Sequence, residues 1–294
     1  MKKIIFVGGT ARSGSTLLDL IIANDPKAMS LGEIHALFRP TRKHHFEKLE
    51  KLKKDKIWAN IIKDGKQNLY FNLIKHFPQF DIFVDSSKDP FWFKYQEKTN
   101  NTIAVIKHVL IYKSPEELAK SFIKRGKNFK WIRAYKRYHK KYFALIDASA
   151  IISYKELIEN NKSLKKLCEK IGIKYFEGKI NYWEMTHPTF FGSNSVKSKN
   201  GYEEKKQLDI NARTDLTYDK PNNELKKTIS KIFRKYPQIE LIKNTLDNNS
   251  INKNSAKPSR KIIKYNQLQL FLLFLKDTML RKYRYYFPAN IFYK

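Results

Sequence analysis

The chain is poor in residues that cross-link or span. Cys168 is the only cysteine among 294 residues, so no disulfide forms within the chain and no cysteine set exists for a metal cluster. Long apolar runs are also missing. The longest, "LQLFLLFL" (Leu268 to Leu275), is too short to cross a bilayer as a helix. Near the N-terminus only four apolar residues precede a glycine loop, whereas a secretory segment needs a longer run and a small-residue cleavage site. A cytoplasmic location is expected. Acidic residues are scarce: 28 Asp and Glu face 59 Lys and Arg, for a formal net charge of +31. Part of that excess is compositional bias, since Lys, Asn and Ile are abundant together while Ala and Gly are few. The rest points to an anionic partner, whether phosphate groups, an acidic polysaccharide, nucleic acid or an anionic membrane. No recognisable nucleic-acid-binding module accompanies the charge.

One further absence is local. In "GGTARSGSTLL" (Gly8 to Leu18), Gly9 and Gly14 have the spacing of a Walker-type phosphate loop and Thr16 is in place. The lysine of G-x-x-x-x-G-K-[ST] is replaced by Ser15. A strand–glycine loop–helix turn still offers backbone N–H groups and a helix dipole to an anion. Without the lysine it serves a triphosphate and its magnesium poorly, and Arg12 supplies a cation from within the loop. Such a loop suits a compact, 5′-linked anion.

The pattern around it is α/β. Ile4 to Val7 reads as a strand buried on both faces, followed by a helix bearing Leu17, Leu18, Ile21 and Ile22. Further strands are expected within Asp81 to Pro90, Thr102 to Lys113 and Ala150 to Tyr154, with helical patterns over 41–77, 115–147 and 222–245. In "SPEEL", Ser114, Pro115 and Glu117 form a helix start with a capping box. Strands alternating with helices predict a three-layer fold like that of P-loop NTPases, with a mostly parallel sheet between helices. The expected organisation is a domain over 1–246, a polar linker over 247–259, and a basic, aromatic helical tail over 260–294. The tail packs back on the domain or a partner, or lies on an anionic membrane surface.

Several segments, in order, resemble the sulfotransferases that use 3′-phosphoadenosine-5′-phosphosulfate (PAPS). "ARSGSTLL" is similar to the loop that holds the 5′-phosphosulfate, in the arginine-bearing form of tyrosylprotein and several bacterial sulfotransferases. That resemblance implies that Arg12, Ser13, Gly14, Ser15 and Thr16 bind the donor. In this subgroup a "GE" dipeptide after the first helix carries the catalytic base, and "SLGEIHALFRP" puts Glu33 there, preferred over its neighbour His35. "YKSPEELAKS" resembles the 3′-phosphate element and implies roles for Lys113 and Ser121. Lysine in place of the usual arginine loses a bidentate fork. "VDSSKDP" resembles the loop whose lysine approaches the transferring group, implying Lys88. "ISYKELIEN" resembles the segment whose tyrosine contacts the nucleotide, implying Tyr154. A later stretch, "HPTFFGSNSVKSK", would put Lys197 where an arginine is usual. The resemblance spans roughly residues 3 to 200.

It implies an O-sulfotransferase with PAPS as co-substrate, 3′,5′-bisphosphoadenosine as product, no metal, and a saccharide or glycolipid acceptor; peptide tyrosine stays open. Asp85 and Asp89 either orient Lys88 or cap loops, and Ser87 reads as a turn residue. Two other readings fit parts of the chain: a P-loop kinase or nucleotidase, and a non-catalytic binder of acidic polymer.

Overall fold

The computed structural model describes residues 1–126, 130–184, 191, 218, 220–253 and 267–286. Five strands form one sheet: β1 (Lys3–Gly8), β2 (Ala28–Gly32), β3 (Ile82–Asp85), β4 (Val105–Tyr112) and β5 (Ala150–Ser153). Their spatial order is β2-β3-β1-β4-β5, and every pairing is parallel. The strand period of two sets the layers. Ile4 and Phe6 enter one hydrophobic cluster, while Ile5 and Val7 enter another on the opposite face. Full burial of each such side chain contributes about 1.5–3 kcal/mol, so β1 anchors both cores.

Helices cover the two faces: α1 (Ser15–Ile22), α2 (Lys43–Leu52), α3 (Lys56–Asp64), α4 (Leu69–His76), α5 (Pro90–Asn100), α6 (Pro115–Ile123), α7 (Lys130–Leu145), α8 (Tyr154–Glu159), α9 (Asn161–Ile171), α10 (Asn223–Lys235) and α11 (Pro237–Asn248). A 3₁₀ turn at Ile34–Leu37 follows β2. A further helix, α12 (Gln267–Tyr286), lies in the C-terminal tail.

Several local expectations hold. Ser114 caps α6 with Glu117 in a full capping box and Pro115 at its start. A second box, Ser153 with Glu156, starts α8. Others do not. β2, "AMSLG", carries no apolar run long enough to announce a strand, yet all five residues are buried against β3. The helix expected over 222–245 is two helices, because Pro237 cannot donate a hydrogen bond within a continuous helix and instead opens α11. The linker expected from residue 247 begins inside α11, where Asp247 accepts from the Tyr112 hydroxyl at 2.9 Å. Beyond it the Ile251 N–H donates to the Ile151 carbonyl at 2.9 Å, and Asn252 donates to Glu156 at 3.0 Å. This stretch is stitched to the edge of the sheet.

Asp85, the last residue of β3, is fully buried. It accepts from the Tyr70 hydroxyl at 2.8 Å, the Trp92 indole at 2.8 Å and the Ser87 N–H at 2.7 Å. That clamp joins α4, α5 and the β3 exit. Asp85→Ala strands two buried side-chain donors and is expected to cost about 2–5 kcal/mol. Asp85→Asn keeps an oxygen for both and should cost less; urea unfolding of the three proteins measures the difference.

Candidate functional site

In a parallel sheet all strands point their C-terminal ends the same way, and ligands bind outside those ends where the strand order reverses. Here β1 is that point, because the chain runs leftward to β2 and β3 and then crosses to β4 and β5. Apart from Ser121 on α6, the described candidates follow the end of a strand at this edge. The glycine loop follows β1, Glu33 follows β2, Lys88 follows β3, Lys113 follows β4 and Tyr154 follows β5.

The loop between β1 and α1 is tight for steric reasons. A Cβ on Gly9 would sit 2.7 Å from the Ile111 carbonyl oxygen and run into Ser13. Gly14 caps α1 at φ 102°, a left-handed conformation that side chains disfavour, and a Cβ there would come within 2.7 Å of the Tyr154 ring. Arg12 itself adopts φ 75°, at a cost of about 1–2 kcal/mol for a residue with a side chain. The Ser13 N–H donates to the Thr10 carbonyl at 3.1 Å, closing the turn. Ser15 and Thr16 begin α1, are buried, and belong to the helical turn whose N–H groups lack intrahelical acceptors.

Lys113 and Tyr154 meet beside this loop, with the ammonium 4.0 Å from the ring centroid. Gly14, Tyr154 and Lys113 therefore form one contiguous wall. Ser121 is half-buried near the end of α6, and its side chain makes no hydrogen bond among the described residues. Lys197 and most of its segment fall outside the described residues.

On the other side of the loop, Lys88 donates to Glu33 Oε1 at 2.6 Å. Lys88 holds φ 61°, so its backbone, too, is forced into the left-handed region. Burial alone would raise the Glu33 pKa, but the charge and hydrogen bond of Lys88, with smaller help from His35 and Arg42, outweigh it and hold the carboxyl at about 2. Asp85 shows the opposite balance. Burial raises its pKa to about 6, and neutral donors from Ser87, Trp92 and Tyr70 only partly offset that.

Of the two readings for Asp85 and Asp89, partners of Lys88 or caps, the hydrogen bonds fit the second for Asp89 and neither in full for Asp85. Asp85 serves the clamp described above. Asp89 caps α5, accepting from the Phe91 N–H at 3.2 Å, and pairs with Arg39 at 3.5 Å and Lys141 at 3.4 Å. Ser87 does more than turn the chain, because its hydroxyl accepts from the His35 N–H at 3.2 Å. That bond ties the Glu33 segment to the Lys88 loop.

Tyr138 on α7 was not legible in advance. Its hydroxyl accepts from the Gly9 N–H at 2.6 Å, so a residue 129 positions away sets the entry of the loop. Tyr142, one turn on, blocks the space beside Gly8, where a Cβ would meet its ring at 2.5 Å. The only advance signal was the run of aromatic and histidine residues at 135, 138, 139 and 142, which by itself reads as a buried helix face. Among the described residues no group of three or more His, Cys, Asp or Glu is placed to hold a metal ion.

No protein-family model matches the sequence, and no curated protein matches it either. Among solved structures, the chain is similar to the sulfotransferase domain of the olefin synthase from Synechococcus PCC 7002. The TM-score is 0.50 at 18% identity, over 78% of this chain and 94% of that domain. At that identity the likeness shows the fold, a P-loop-like α/β arrangement of a parallel sheet between helices.

The pair makes a pH prediction. A carboxyl whose pKa falls on folding contributes stability that is present above its unfolded value near 4.5 and lost as pH drops through about 2. Lys88→Met removes the cation and leaves burial dominant. The Glu33 titration midpoint, followed by carboxyl-carbon NMR, is expected to move from about 2 to above 4.5. An unmoved midpoint would show that Lys88 does not hold it.

Proposed function

We propose that the protein is a sulfotransferase that moves the sulfuryl group of PAPS to a hydroxyl of a saccharide or glycolipid. The observation that carries this reading is the Glu33–Lys88 pair at 2.6 Å, formed at the exits of β2 and β3 in a sheet whose β1 leads into a glycine loop with Ser15 in place of the Walker lysine. The P-loop-like fold supports it, as does the activity named for the structurally similar domain. The donor chemistry of the site fits PAPS. The N–H groups of Gly14, Ser15 and Thr16, with Arg12 and Ser13, would hold the 5′ end, Lys113 and Ser121 the 3′-phosphate, and Tyr154 the nucleoside.

PAPS, when bound, supplies an electron-poor sulfuryl group on a stable leaving group. Glu33 is the general base. Ionised throughout the neutral range, it takes the acceptor's hydroxyl proton as the new O–S bond forms and the bridging S–O bond breaks. General-base assistance of this kind is worth roughly 10²–10⁴-fold. Lys88 and Arg12 offset the charge that builds on the departing oxygen. While it is paired with Lys88, Glu33 is a weak base. As Lys88 turns toward that oxygen, the carboxylate loses its strongest stabilising neighbour and its basicity rises when a proton must be taken.

A kinase reading is disfavoured on two counts. Ser15 stands where the phosphate-reaching lysine belongs, and Asp85, the acid at the end of a buried strand, is turned onto Tyr70, Trp92 and Ser87. The surplus positive charge suits an anionic glycan or a glycolipid at a membrane.

3′,5′-Bisphosphoadenosine is expected to raise the melting temperature, whereas ATP with Mg²⁺ is not; the reverse result would return the kinase reading. Glu33→Gln should lower turnover with labelled PAPS by roughly 10²–10⁴-fold and leave that thermal shift intact. Turnover by Glu33→Gln equal to the parent chain would remove Glu33 as the base. Glycan, glycolipid and peptide acceptors assayed side by side identify the acceptor class.

A further inference from the structure

α12 carries several large apolar side chains on the outside. Leu268 is 63% exposed, Phe271 55%, Leu272 54% and Met279 68%. At 3.6 residues per turn these four and the half-exposed Leu275 fall within an arc of about 100°. An apolar stripe of this width normally faces a core. Here it faces away from the Phe274 ring, which packs against Phe91 at a centroid distance of 5.5 Å. The exposed Lys276 flanks the stripe. Arg281, Lys282 and Arg284 follow in the last turns of the helix, against a single acid, Asp277.

We infer that this face of α12 is a docking surface for an anionic lipid bilayer, with the leucine–phenylalanine–methionine stripe entering the interface and the basic residues meeting the headgroups. A helix of this composition lies in the interface plane and does not cross, and no described helix is long and apolar enough to span. Charge complementarity selects the occupant. The chain carries +31, so a second copy brought against the same stripe meets strong repulsion, whereas an anionic surface is attracted at about 1 kcal/mol per nearby Lys or Arg. Phe91 lies in the first turn of α5, three residues after Lys88, and Lys141 stands over its ring at 5.2 Å. A bilayer under α12 therefore lies against the helix that follows Lys88 of the Glu33–Lys88 pair, a placement suited to an acceptor with a lipid anchor. The surface does not depend on the chemistry at Glu33.

The test is flotation of the full chain with vesicles of phosphatidylcholine mixed with phosphatidylglycerol, against phosphatidylcholine alone. Binding is expected to be stronger on the anionic vesicles by about tenfold or more and to weaken with salt. The double substitution Leu272→Glu with Met279→Glu should abolish flotation while leaving the circular dichroism and the nucleotide thermal shift of the parent chain unchanged. Absent or equal flotation on the two vesicles would overturn the inference, and so would undiminished flotation of the double variant. A dimer in solution that the same variant splits to monomers would assign the stripe to a second copy instead. Failure of the nucleotide shift with flotation intact would count against the sulfotransferase reading alone.

Discussion

Burial of β1 on both faces and both edges is the constraint from which the rest follows. Ile4 and Phe6 fill one core, Ile5 and Val7 the other, and β3 and β4 take up its backbone groups on either side. A strand so enclosed releases the chain only at its C-terminal end. The turn into α1 has to be made at once, under the Ile111 carbonyl and the Tyr154 ring, where Gly9 and Gly14 leave no room for a side chain. The same enclosure aims the first turn of α1 at the edge of the sheet where β2, β3, β4 and β5 also end. The glycine loop and its surroundings are thus consequences of packing one short strand.

Electrostatics then distinguishes residues that sequence treats alike. Glu33 and Asp85 are carboxylates near the exits of adjacent strands, and burial pushes both toward the neutral form. A lysine at 2.6 Å reverses that for Glu33. Asp85 has only neutral donors, whose dipoles cannot fully replace lost hydration, so its pKa stays raised at about 6. Its contribution to folding is therefore greatest below its unfolded value near 3.8 and declines as pH rises through about 6. One carboxylate is held charged by a lysine, and the other is held as a structural clamp. A full charge at hydrogen-bonding distance outweighs desolvation, while several neutral donors do not.

The strained backbone falls in the same region. Arg12 and Lys88 are the two side-chain-bearing residues with positive φ among those described, and both belong to loops at the sheet edge. Strain of this kind persists only when the surroundings over-determine it. The surroundings here are specific: Tyr138 on the Gly9 N–H, Ser87 on the His35 N–H, and Asp85 on the Ser87 N–H. They hold the glycine loop, the Glu33 segment and the Lys88 loop through bonds that belong to no secondary-structure ladder.

Local order was legible from the chain alone. The β1–glycine loop–α1 unit, the Ser114–Glu117 capping box, the alternation of strands and helices, and the residues at each strand exit depend on neighbours a few positions apart, and periodicity and turn chemistry report such neighbours directly. β2 escaped notice because "AMSLG" lacks an apolar run, and its burial comes from covering elements and not from its own pattern. The break at Pro237 was visible as a residue but not as a choice, since proline both ends and begins helices. Tyr138 on Gly9, Glu33 on Lys88, Asp85 turned inward to Tyr70 and Trp92, and Asn252 held by Glu156 join positions from 7 to 129 apart. Those pairings were decided only by tertiary structure, because a side chain's partner depends on which elements pack against it, and spacing along the chain carries no record of that.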